Sequence, residues 1–467
     1  MAEISIPLAG PTYTARSLPV GAQVTKNFYV EVDPSANEPT ALMPFPGCKS
    51  FAVAGSTGSR GMGTFNGKAY SVSGTELYSV NQDGTSTLIG TIAGTKRIKT
   101  VDDGSNLVIT NGAGKPYAYD GTTLTQGTDS DLPNANTVAY INDRVIYDRP
   151  GGLSFADLDT PLTVNSANVL DTNTRVGDND CQATITHRQQ VYGICRKTTE
   201  PSYFTSSGTP PYSRVNNGVQ EIGTDSPYSV AYNKDFIYFL GADRNIYQIS
   251  GVSNRAIGNP AIGQAIQGYS TITDAYAFCF NFDSQFFYLL TFPTEGATWL
   301  WNQNADVWTS LGYDVSGGAH LISGYAYIYG KHLVSDRRNG NIYELDFSTY
   351  TDNGDTIQRV RTTRTISSKD IGAPGRQLFM SNLKLVIESG VSLVSGAAEI
   401  IMEYSDDDGR TWSSERWLSI GEQGDFTYLL EWSNLGSFYK RMFRFTMSDP
   451  VKWVLISLDA EVELGIG

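Results

Sequence analysis

Histidine and basic side chains are scarce in this sequence. Only three histidines occur in 467 residues, and none has the H-x-x-x-H or His/Cys spacing of a zinc site, so no metal centre is expected. Lysine and arginine together number 34, against 48 aspartates and glutamates, which leaves a net charge of −14. Because such a chain has little excess cation with which to release counterions from phosphate, we do not expect it to wrap DNA tightly.

Cysteine and long apolar runs are also scarce. Four cysteines in a chain of this length do not form a disulfide framework. Cys181 and Cys195 could face each other across a hairpin, but reduced thiols in the core are the expectation. No apolar run approaches the roughly 20 residues that span a bilayer, and the N-terminal MAEISIPLAGPTYTARSLP lacks the basic and apolar regions of a signal peptide. We therefore expect a soluble protein made in a reducing compartment, without a membrane segment.

The common catalytic motifs are absent as well. The sequence has no G-x-x-x-x-G-K-[ST] loop, no strand–G-x-G-x-x-G–helix unit and no G-x-S-x-G nucleophile elbow. Carboxylates are plentiful, but no spacing singles out two of them as glycosidase acids. The sequence therefore predicts no enzyme, no catalytic residue and no cofactor.

One kind of β-hairpin, by contrast, recurs seven times. Most copies have a β-branched or aromatic strand, a turn rich in glycine, proline or polar residues, and a second strand with aromatic or apolar residues. Equivalent positions in the first strands are separated by 38, 37, 46, 46, 50 and 46 residues. A strand-only period of about 40–50 residues is typical of β-propeller blades. The aligned positions are Tyr70, Val108, Val145, Val191, Ile237, Phe287 and Leu333.

The repeats predict an all-β fold with a seven-bladed β-propeller over residues 51–350, and six blades are the nearest alternative. Residues 1–50 are predicted to form an ordered, extended N-terminal arm, since apolar residues are interspersed among its prolines. In this arm, Asn27–Val32 is a candidate strand for closing the propeller ring or for a subunit contact. The longest connections, 157–175 and 198–217, are candidate contact loops.

The pattern of repeated hairpins ends after Leu345. Residues 359–467 predict a separate β-sandwich, because about six segments with alternating apolar residues follow one another at short spacing. Helix should be minor throughout, since no long stretch keeps a convincing apolar period of 3.6 residues.

The sharpest local motif is SDDDGRTW, which resembles the Asp-box, S-x-D-x-G-x-T-W, of sialidase propellers and of many unrelated proteins. A single copy outside the repeats favours a structural turn, in which an aspartate accepts backbone N–H groups, a glycine adopts a positive φ and the tryptophan packs beneath. The alternative is a role in glycan binding. The residues of this predicted turn are Ser405, Asp407, Gly409, Thr411 and Trp412.

Three arginines, Arg359, Arg361 and Arg364, follow the repeats. They are too close in sequence to act as the separate strand contributions of a sialidase arginine cluster. A spacing of two along a strand places Arg359 and Arg361 on one face, which predicts either an exposed basic strip at an interface or a merely solvated face. All three are therefore candidate interface residues.

Three parts of the sequence resemble the packaged-DNA stabilisation proteins, the tail-hub or nozzle proteins of short-tailed bacteriophages. NFYVEVDPSANEPTALMPFPG, from Asn27, resembles the family's N-Y-x-E followed by a P-x-P-G-like turn. GNIYELDFSTYTDNGDTIQRVRTT, from Gly340, resembles its Y-x-L-D…Y-T-D-N-G-x-x-I-x-R passage. YSDDDGRTWSSERWLSIG and YKRMFRFTMSDPVKW resemble its sandwich, with a terminal D-P-x-x-W. The likeness covers both ends of the chain, with looser agreement in the middle blades.

This resemblance implies a non-enzymatic virion part, made in the host cytoplasm. Such proteins form a ring, a hexamer by this resemblance, below the portal and its adaptor. They retain packaged DNA, which passes through the lumen without sequence-specific binding, and they present sites for tail fibres or spikes and for a plug or needle. The alternative is a glycan-binding or sialidase-like β-propeller, which would have an axial pocket lined by several arginines, a tyrosine and a carboxylate.

Overall fold

The computed structural model describes residues 2–36, 38–172, 178–313, 318–390, 398–426 and 428–465. Strands dominate these residues, in agreement with the sequence. A single α-helix, α1 (Pro260–Gly268), occurs in the described ranges, and its N-cap Asn259 accepts a hydrogen bond from the Ile262 N–H. None of the helices in these ranges has the length and apolar character needed to cross a membrane.

Six strands lie ahead of the hairpin repeats, in the segment predicted as an extended arm. They are β1 (Ala2–Ser5), β2 (Tyr13–Thr14), β3 (Ala22–Lys26), β4 (Phe28–Val32), β5 (Thr40–Pro44) and β6 (Gly47–Val53).

The hairpin repeats form units of four antiparallel strands, which we call blades 1 to 7 in chain order. Blade 1 contains β7 (Ser59–Phe65), β8 (Lys68–Ser73), β9 (Glu76–Val80) and β10 (Ser86–Thr91). Blade 2 contains β11 (Lys99–Asp102), β12 (Leu107–Thr110), β13 (Tyr117–Tyr119) and β14 (Leu124–Gln126). Blade 3 contains β15 (Val138–Ile141), β16 (Arg144–Arg149), β17 (Gly152–Phe155) and β18 (Val169–Asp171). Blade 4 contains β19 (Cys181–His187), β20 (Gln190–Cys195), β21 (Thr199–Phe204) and β22 (Tyr212–Arg214). Blade 5 contains β23 (Ala231–Tyr232), β24 (Ile237–Leu240), β25 (Ile246–Ser250) and β26 (Ser253–Ala256). Blade 6 contains β27 (Tyr276–Phe282), β28 (Gln285–Phe292), β29 (Ala297–Asn302) and β30 (Val307–Leu311). Blade 7 contains β31 (Ile322–Ile328), β32 (Lys331–Asp336), β33 (Asn341–Asp346) and, as its fourth strand, β6.

Each predicted hairpin supplies the second and third strands of one blade. KAYSVSGTELYSV, for example, spans β8 and β9, and its turn glycine, Gly74, adopts the φ of 56° that such a turn favours. Buried apolar clusters lie between neighbouring blades; one of them packs Tyr70 and Leu77 of blade 1 against Leu107 and Ile109 of blade 2. The prediction of an all-β propeller from the repeats is confirmed.

The N-terminal strand β6 closes the propeller ring. It pairs antiparallel with β33, from Val53 opposite Asn341 to Gly47 opposite Asp346, and the next strand, β7 of blade 1, contacts β31 of blade 7. The prediction that Asn27–Val32 closes the ring was wrong. Those residues include β4, which pairs with β5 in the C-terminal domain, because Phe28 and Val30 pack into the core of that domain.

The described residues after blade 7 form ten further strands. They are β34 (Thr351–Asp352), β35 (Asp355–Thr356), β36 (Arg359–Thr362), β37 (Ile366–Ser367), β38 (Leu378–Ile387), β39 (Glu399–Ser405), β40 (Arg416–Ser419), β41 (Leu430–Phe438), β42 (Lys440–Met447) and β43 (Leu455–Leu464). Strands β34 and β35 extend the sheet of blade 7, and the other eight build the predicted β-sandwich. Its two sheets have the orders β4-β5-β43-β38-β41, with β1 on β43, and β3-β36-β42-β39-β40, with β37 on β42. The N-terminal segment is thus no separate arm, because β1, β3, β4 and β5 belong to the sandwich and β6 belongs to blade 7.

Strand β3 joins the two domains into one continuous sheet. It pairs antiparallel with β36 of the sandwich and, at Lys26, in parallel with β30 of blade 6. Asn27, which has a left-handed φ of 59°, holds this crossing. Its side chain donates to the carbonyls of Gly312 (3.0 Å) and Gln358 (2.8 Å) and accepts from the Gly312 N–H (2.9 Å). The propeller and the sandwich are therefore connected by a hydrogen-bonded sheet.

Two further expectations from the sequence were wrong. The register of β19 and β20 places Cys181 directly opposite Cys195, and the structure joins them as a disulfide instead of two reduced thiols. The segment 198–217 is no long loop, because it contains β21 and β22, and only residues 205–211 connect these strands. The segment 157–175 contains β18, and its last three residues lie outside the described ranges.

Candidate functional sites

The predicted Asp-box turn begins at the end of β39 and contains a dense set of hydrogen bonds. The Asp407 carboxylate accepts from the N–H groups of Arg410 and Thr411, both at 2.9 Å, and from the Thr411 hydroxyl at 2.6 Å. The Ser405 hydroxyl donates to the same carboxylate (2.7 Å) and accepts from the Gly409 N–H (2.8 Å). These bonds, that of the Thr411 hydroxyl foremost, hold the pKa of Asp407 well below its usual range. Gly409 has a φ of 86°, as expected for such a bend.

Asp406, the residue before Asp407, binds a buried arginine. Arg441 of β42 donates from Nε (2.7 Å) and Nη2 (2.8 Å) to the two oxygens of Asp406. The guanidinium lies between the rings of Tyr404 and Phe438, 4.0 and 4.3 Å from their centroids, and Arg441 is only 2% exposed. The buried guanidinium of Arg441 is thus neutralised by the Asp406 carboxylate of the turn.

The rest of the turn also contacts its own domain. The buried carboxylate of Asp408 forms an ion pair with Lys440, and the ring of half-buried Trp412 lies 4.1 Å from the guanidinium of Arg444. The carboxylates of the turn therefore bind neighbouring strands and backbone, which favours a structural role. That role stays a prediction.

Arg359 and Arg361 are fully buried, so they do not form an exposed basic strip. Both lie on β36, which β3 and β42 flank. Arg361 donates to the Thr25 hydroxyl (2.8 Å) and to the Gln23 side-chain oxygen (3.1 Å), and Arg359 donates to the Phe45 carbonyl (3.3 Å). Burial lowers the pKa of Arg359 to about 10 and that of Arg361 to about 9. Their shared face, correctly expected from the spacing, contacts the N-terminal segment of the same chain.

Arg364 is the one member of the predicted strip that reaches the surface. Its side chain is 36% exposed and forms an ion pair with Asp370 at 2.8 Å. It remains a candidate for contacts with other proteins.

Three cavities follow one another along the inner strands of the propeller. The middle cavity, of about 370 Å³, is lined by residues of the first strands of blades 2 to 7. Lys99 lines it and donates to the Val230 carbonyl at 3.0 Å, and burial lowers the pKa of Lys99 to about 8. Because the first strands run in one direction along the axis, their beginnings and ends form two different mouths.

The mouth at the beginning of these strands, a cavity of about 500 Å³, combines charged residues with tyrosines. The only arginine among its described lining residues is Arg97, whose guanidinium lies 3.7 Å from the Tyr276 ring centroid and donates to Ser323. Asp225 and Asp274 are the carboxylates present. A sialidase-like site needs three arginines near a tyrosine and an acid, and the described lining does not supply them.

The opposite mouth, of about 650 Å³, is lined mainly by aromatic rings from blades 5 to 7. Tyr232 and Tyr327, at the far ends of β23 and β31, are 54% and 60% exposed. The sequence does not reveal this site, because most of its rings come from the first strands, and only Phe286 and His332 belong to the predicted hairpins. The alternation of Tyr325 and Tyr327 with buried Ala326 was the available signal.

One cysteine, one histidine and one aspartate lie together but are sealed from solvent. His320 Nε2 is 3.7 Å from Asp352 Oδ2, and the other Asp352 oxygen accepts from the Cys48 N–H at 3.3 Å. Burial lowers the pKa of His320 and raises that of the Cys48 thiol, which is the opposite of nucleophile activation. No group of three His, Cys, Asp or Glu residues in the described ranges could hold a metal ion.

Solved structures resemble this fold only loosely. An extracellular domain from B. thetaiotaomicron is 11% identical, with a TM-score of 0.46 over 72% of this chain and 43% of that one. The Neurospora crassa Pan2 WD40 domain is 7% identical (TM-score 0.43, 65% and 97% covered), and BamB from Moraxella catarrhalis is 10% identical (TM-score 0.40, 71% and 97% covered). The chain thus spans less than half of the first of these proteins, and likeness at this level carries no argument about function. No curated protein sequence matches the chain.

Family models, by contrast, match both domains. Residues 4–350 match the model described as bacteriophage P22 Gp10, beta-propeller, and residues 363–463 match the model described as bacteriophage P22 Gp10, beta-sandwich. The matches cover nearly the whole chain in the order of its domains, and they confirm the resemblance found in its two ends. The chain belongs to the bacteriophage P22 Gp10 family of structural phage tail proteins.

Proposed function

We propose that this protein is the hub, or nozzle, of a short bacteriophage tail. Copies of the chain form a ring, of six members by family resemblance, below the portal or its adaptor. The ring retains packaged DNA and anchors tail fibres or spikes and a plug or needle. The observation that carries the proposal is the pair of family matches over both domains, in order.

The rigidity of the chain suits such a part. A ring that holds packaged DNA and carries fibres must transmit load without changing shape. The sheet through β3 connects the propeller to the sandwich, and the closing strand β6 fastens the first blade to the last. These connections support a role as scaffold, and the proposal includes no catalytic step.

The charge of the chain supports passage of DNA rather than storage on the surface. With a net charge of −14, a ring lumen built from this chain should be neutral or acidic. A basic lumen would bind phosphates and slow the DNA during ejection. Tight, salt-sensitive DNA binding by the isolated protein would contradict this part of the proposal.

The tip of the β21–β22 hairpin in blade 4 is our candidate for contacts with tail parts. It consists of residues 205–211, and Tyr203 and Phe204 beside it are 45% and 40% exposed. Exposed aromatic side chains next to a protruding connection are typical of protein interfaces.

Particles with a shortened hairpin tip test the role in the tail. Residues 205–211 are replaced by a short Gly/Ser turn, and the turn at residues 81–85 of blade 1 is replaced in the same way as a matched control. Both purified variants should keep their thermal unfolding profile, because surface connections tolerate changes in length. Particles with the blade 4 variant should lose tail fibres or leak DNA, scored by electron microscopy and nuclease sensitivity.

Two results would contradict these proposals separately. Normal, infectious particles with the blade 4 variant would remove the hairpin tip from the contact sites. Cryo-electron microscopy of intact particles in which the chain is absent from the tail would reject the tail-hub function itself.

A further inference from the structure

The aromatic mouth of the propeller axis, beyond any role in the tail scaffold, has the structure of a ligand site. Tyr327 presents an exposed ring on one wall, 4.9 Å from the ring of His332. His332 is fixed in turn by a 3.0 Å hydrogen bond between its Nδ1 and the Tyr325 hydroxyl. Tyr232 presents a second exposed ring from blade 5. The cavity of about 650 Å³ is large enough for a small molecule.

Polar side chains with free bonding capacity stand beside these rings. Lys234, Asn281 and Asp283 line the cavity and are exposed, and their side chains make no hydrogen bond or ion pair with any described residue. Asp283 lies in the tight β27–β28 turn, where it and Ser284 have left-handed φ values of 44° and 63°. The turn fixes the backbone that carries the carboxylate. A ligand can therefore meet an ammonium, an amide and a carboxylate around an aromatic platform.

This combination distinguishes between ligand classes. A pyranose has an apolar C–H face that stacks on an aromatic ring and hydroxyl groups that both donate and accept hydrogen bonds, and this lining meets both needs. A nucleic acid would also stack, but it needs excess positive charge for its phosphates. The opposite charges of Lys234 and Asp283 cancel each other. Burial lowers the pKa of His332, so its imidazole is uncharged at neutral pH.

We infer that the aromatic mouth binds a pyranose ring of an uncharged saccharide. The sugar stacks on Tyr327, and its hydroxyl groups bond to Lys234, Asn281 and Asp283. The site is independent of the sandwich turn that resembles an Asp-box and of the assembly of the tail.

Saturation-transfer NMR on the full chain tests the inference. The probes are the methyl glycosides of glucose, galactose, mannose, rhamnose and N-acetylglucosamine, each at about 10 mM, a concentration that detects millimolar binding. We expect saturation transfer to at least one of them. Tyr327→Ala and Asn281→Ala should each weaken that binding by about tenfold. Tyr439→Ala, which removes a 64% exposed tyrosine from the sandwich, is the matched control and should leave it unchanged.

Three outcomes would overturn the inference. One is the absence of saturation transfer to all five glycosides. Another is binding that Tyr327→Ala and Asn281→Ala leave unchanged while both variants keep the thermal unfolding of the parent chain. The third is preferential, salt-sensitive binding of an oligothymidine, which would make the platform a nucleic-acid site.

Discussion

The ion pair between Asp406 and Arg441 should stabilise the fold much more than a chemically similar pair on the surface. Asp406 and Arg441 meet at 2.7 and 2.8 Å, and Arg441 is 2% exposed. Asp306 and Arg255 meet at 2.8 and 2.9 Å, but their side chains are 56% and 58% exposed. The two pairs differ mainly in burial. Since Asp306 has a left-handed φ of 54°, which alanine would strain, Arg255→Gln is the exposed control.

The expected magnitudes follow from what each substitution leaves behind. Asp406→Ala leaves the Arg441 guanidinium without its carboxylate partner between two rings. The Leu435 carbonyl is then its remaining hydrogen-bond acceptor in the described residues. Breaking a fully buried pair costs about 3–5 kcal/mol. Because Asp406 itself is 44% exposed, water reaches the site, and we expect a loss of about 2–3 kcal/mol. Arg255→Gln leaves a solvated Asp306, and the loss should be below about 1 kcal/mol.

Urea unfolding followed by tryptophan fluorescence measures both losses. A double-mutant cycle with Arg441→Met supplies the control, because methionine fills much of the space without a charge to strand. In that background, Asp406→Ala should cost less than about 0.5 kcal/mol. Equal losses for Asp406→Ala and Arg255→Gln, or an unchanged cost of Asp406→Ala in the Arg441→Met background, would show that burial of the pair does not set the cost of breaking it.

Three further predictions address the turn, the ring closure and the histidines. Asp407→Ala should lower the melting temperature, since it removes the acceptor of the turn N–H groups, and leave any glycoside binding unchanged; selective loss of sugar binding in a folded variant would contradict this. Gly340→Ala should destabilise the chain by about 1–3 kcal/mol, because a Cβ there clashes with the backbone of Ala54 and Gly55 next to the closing strand. Gly263→Ala in α1 adds a Cβ that meets no neighbour and should stabilise the chain by about 0.5–1 kcal/mol. Urea unfolding measures both changes. Burial lowers the pKa of all three histidines, so the unfolded chain takes up protons near pH 6.5 that the folded chain does not. The melting temperature should therefore fall between about pH 7.5 and pH 5.5, and Asp148, whose pKa burial raises to about 6, opposes this trend.

The sequence predicted those parts of the fold whose partners are close in the chain. The blade hairpins join strands separated by a short turn, and period-2 alternation with turn residues identifies them. Closure by β6 pairs Val53 with Asn341, and no local pattern specifies a partner that far away. The N-terminal segment looked like an arm for the same reason, since each of its strands except β2 and β4 pairs with distant residues or completes a distant sheet.

The candidate sites show the same limit. The spacing of Arg359 and Arg361 correctly put both on one face, but it cannot tell a solvent face from a face covered by other N-terminal residues such as Pro7 and Phe45. The Asp-box pattern identified Asp407 because its bonds lie within the motif itself, whereas the partner of Asp406 is on another strand. The aromatic mouth exists only where the ends of three blades meet, so its rings are scattered in the sequence.

The pairing of the earliest strands with the latest has a consequence for synthesis on the ribosome. Strand β6 has no partner until β33 has been made, and β1 has none until β43, at the other end of the sequence, has been made. The ring can therefore close only after β33 has been made, the sandwich only after β43 has been made, and β1 and β6 stay unpaired while the blades form. Folding that waits for such distant contacts is slow and leaves strand edges open to other chains. A nascent chain of this protein should thus depend on holding chaperones until β43 emerges.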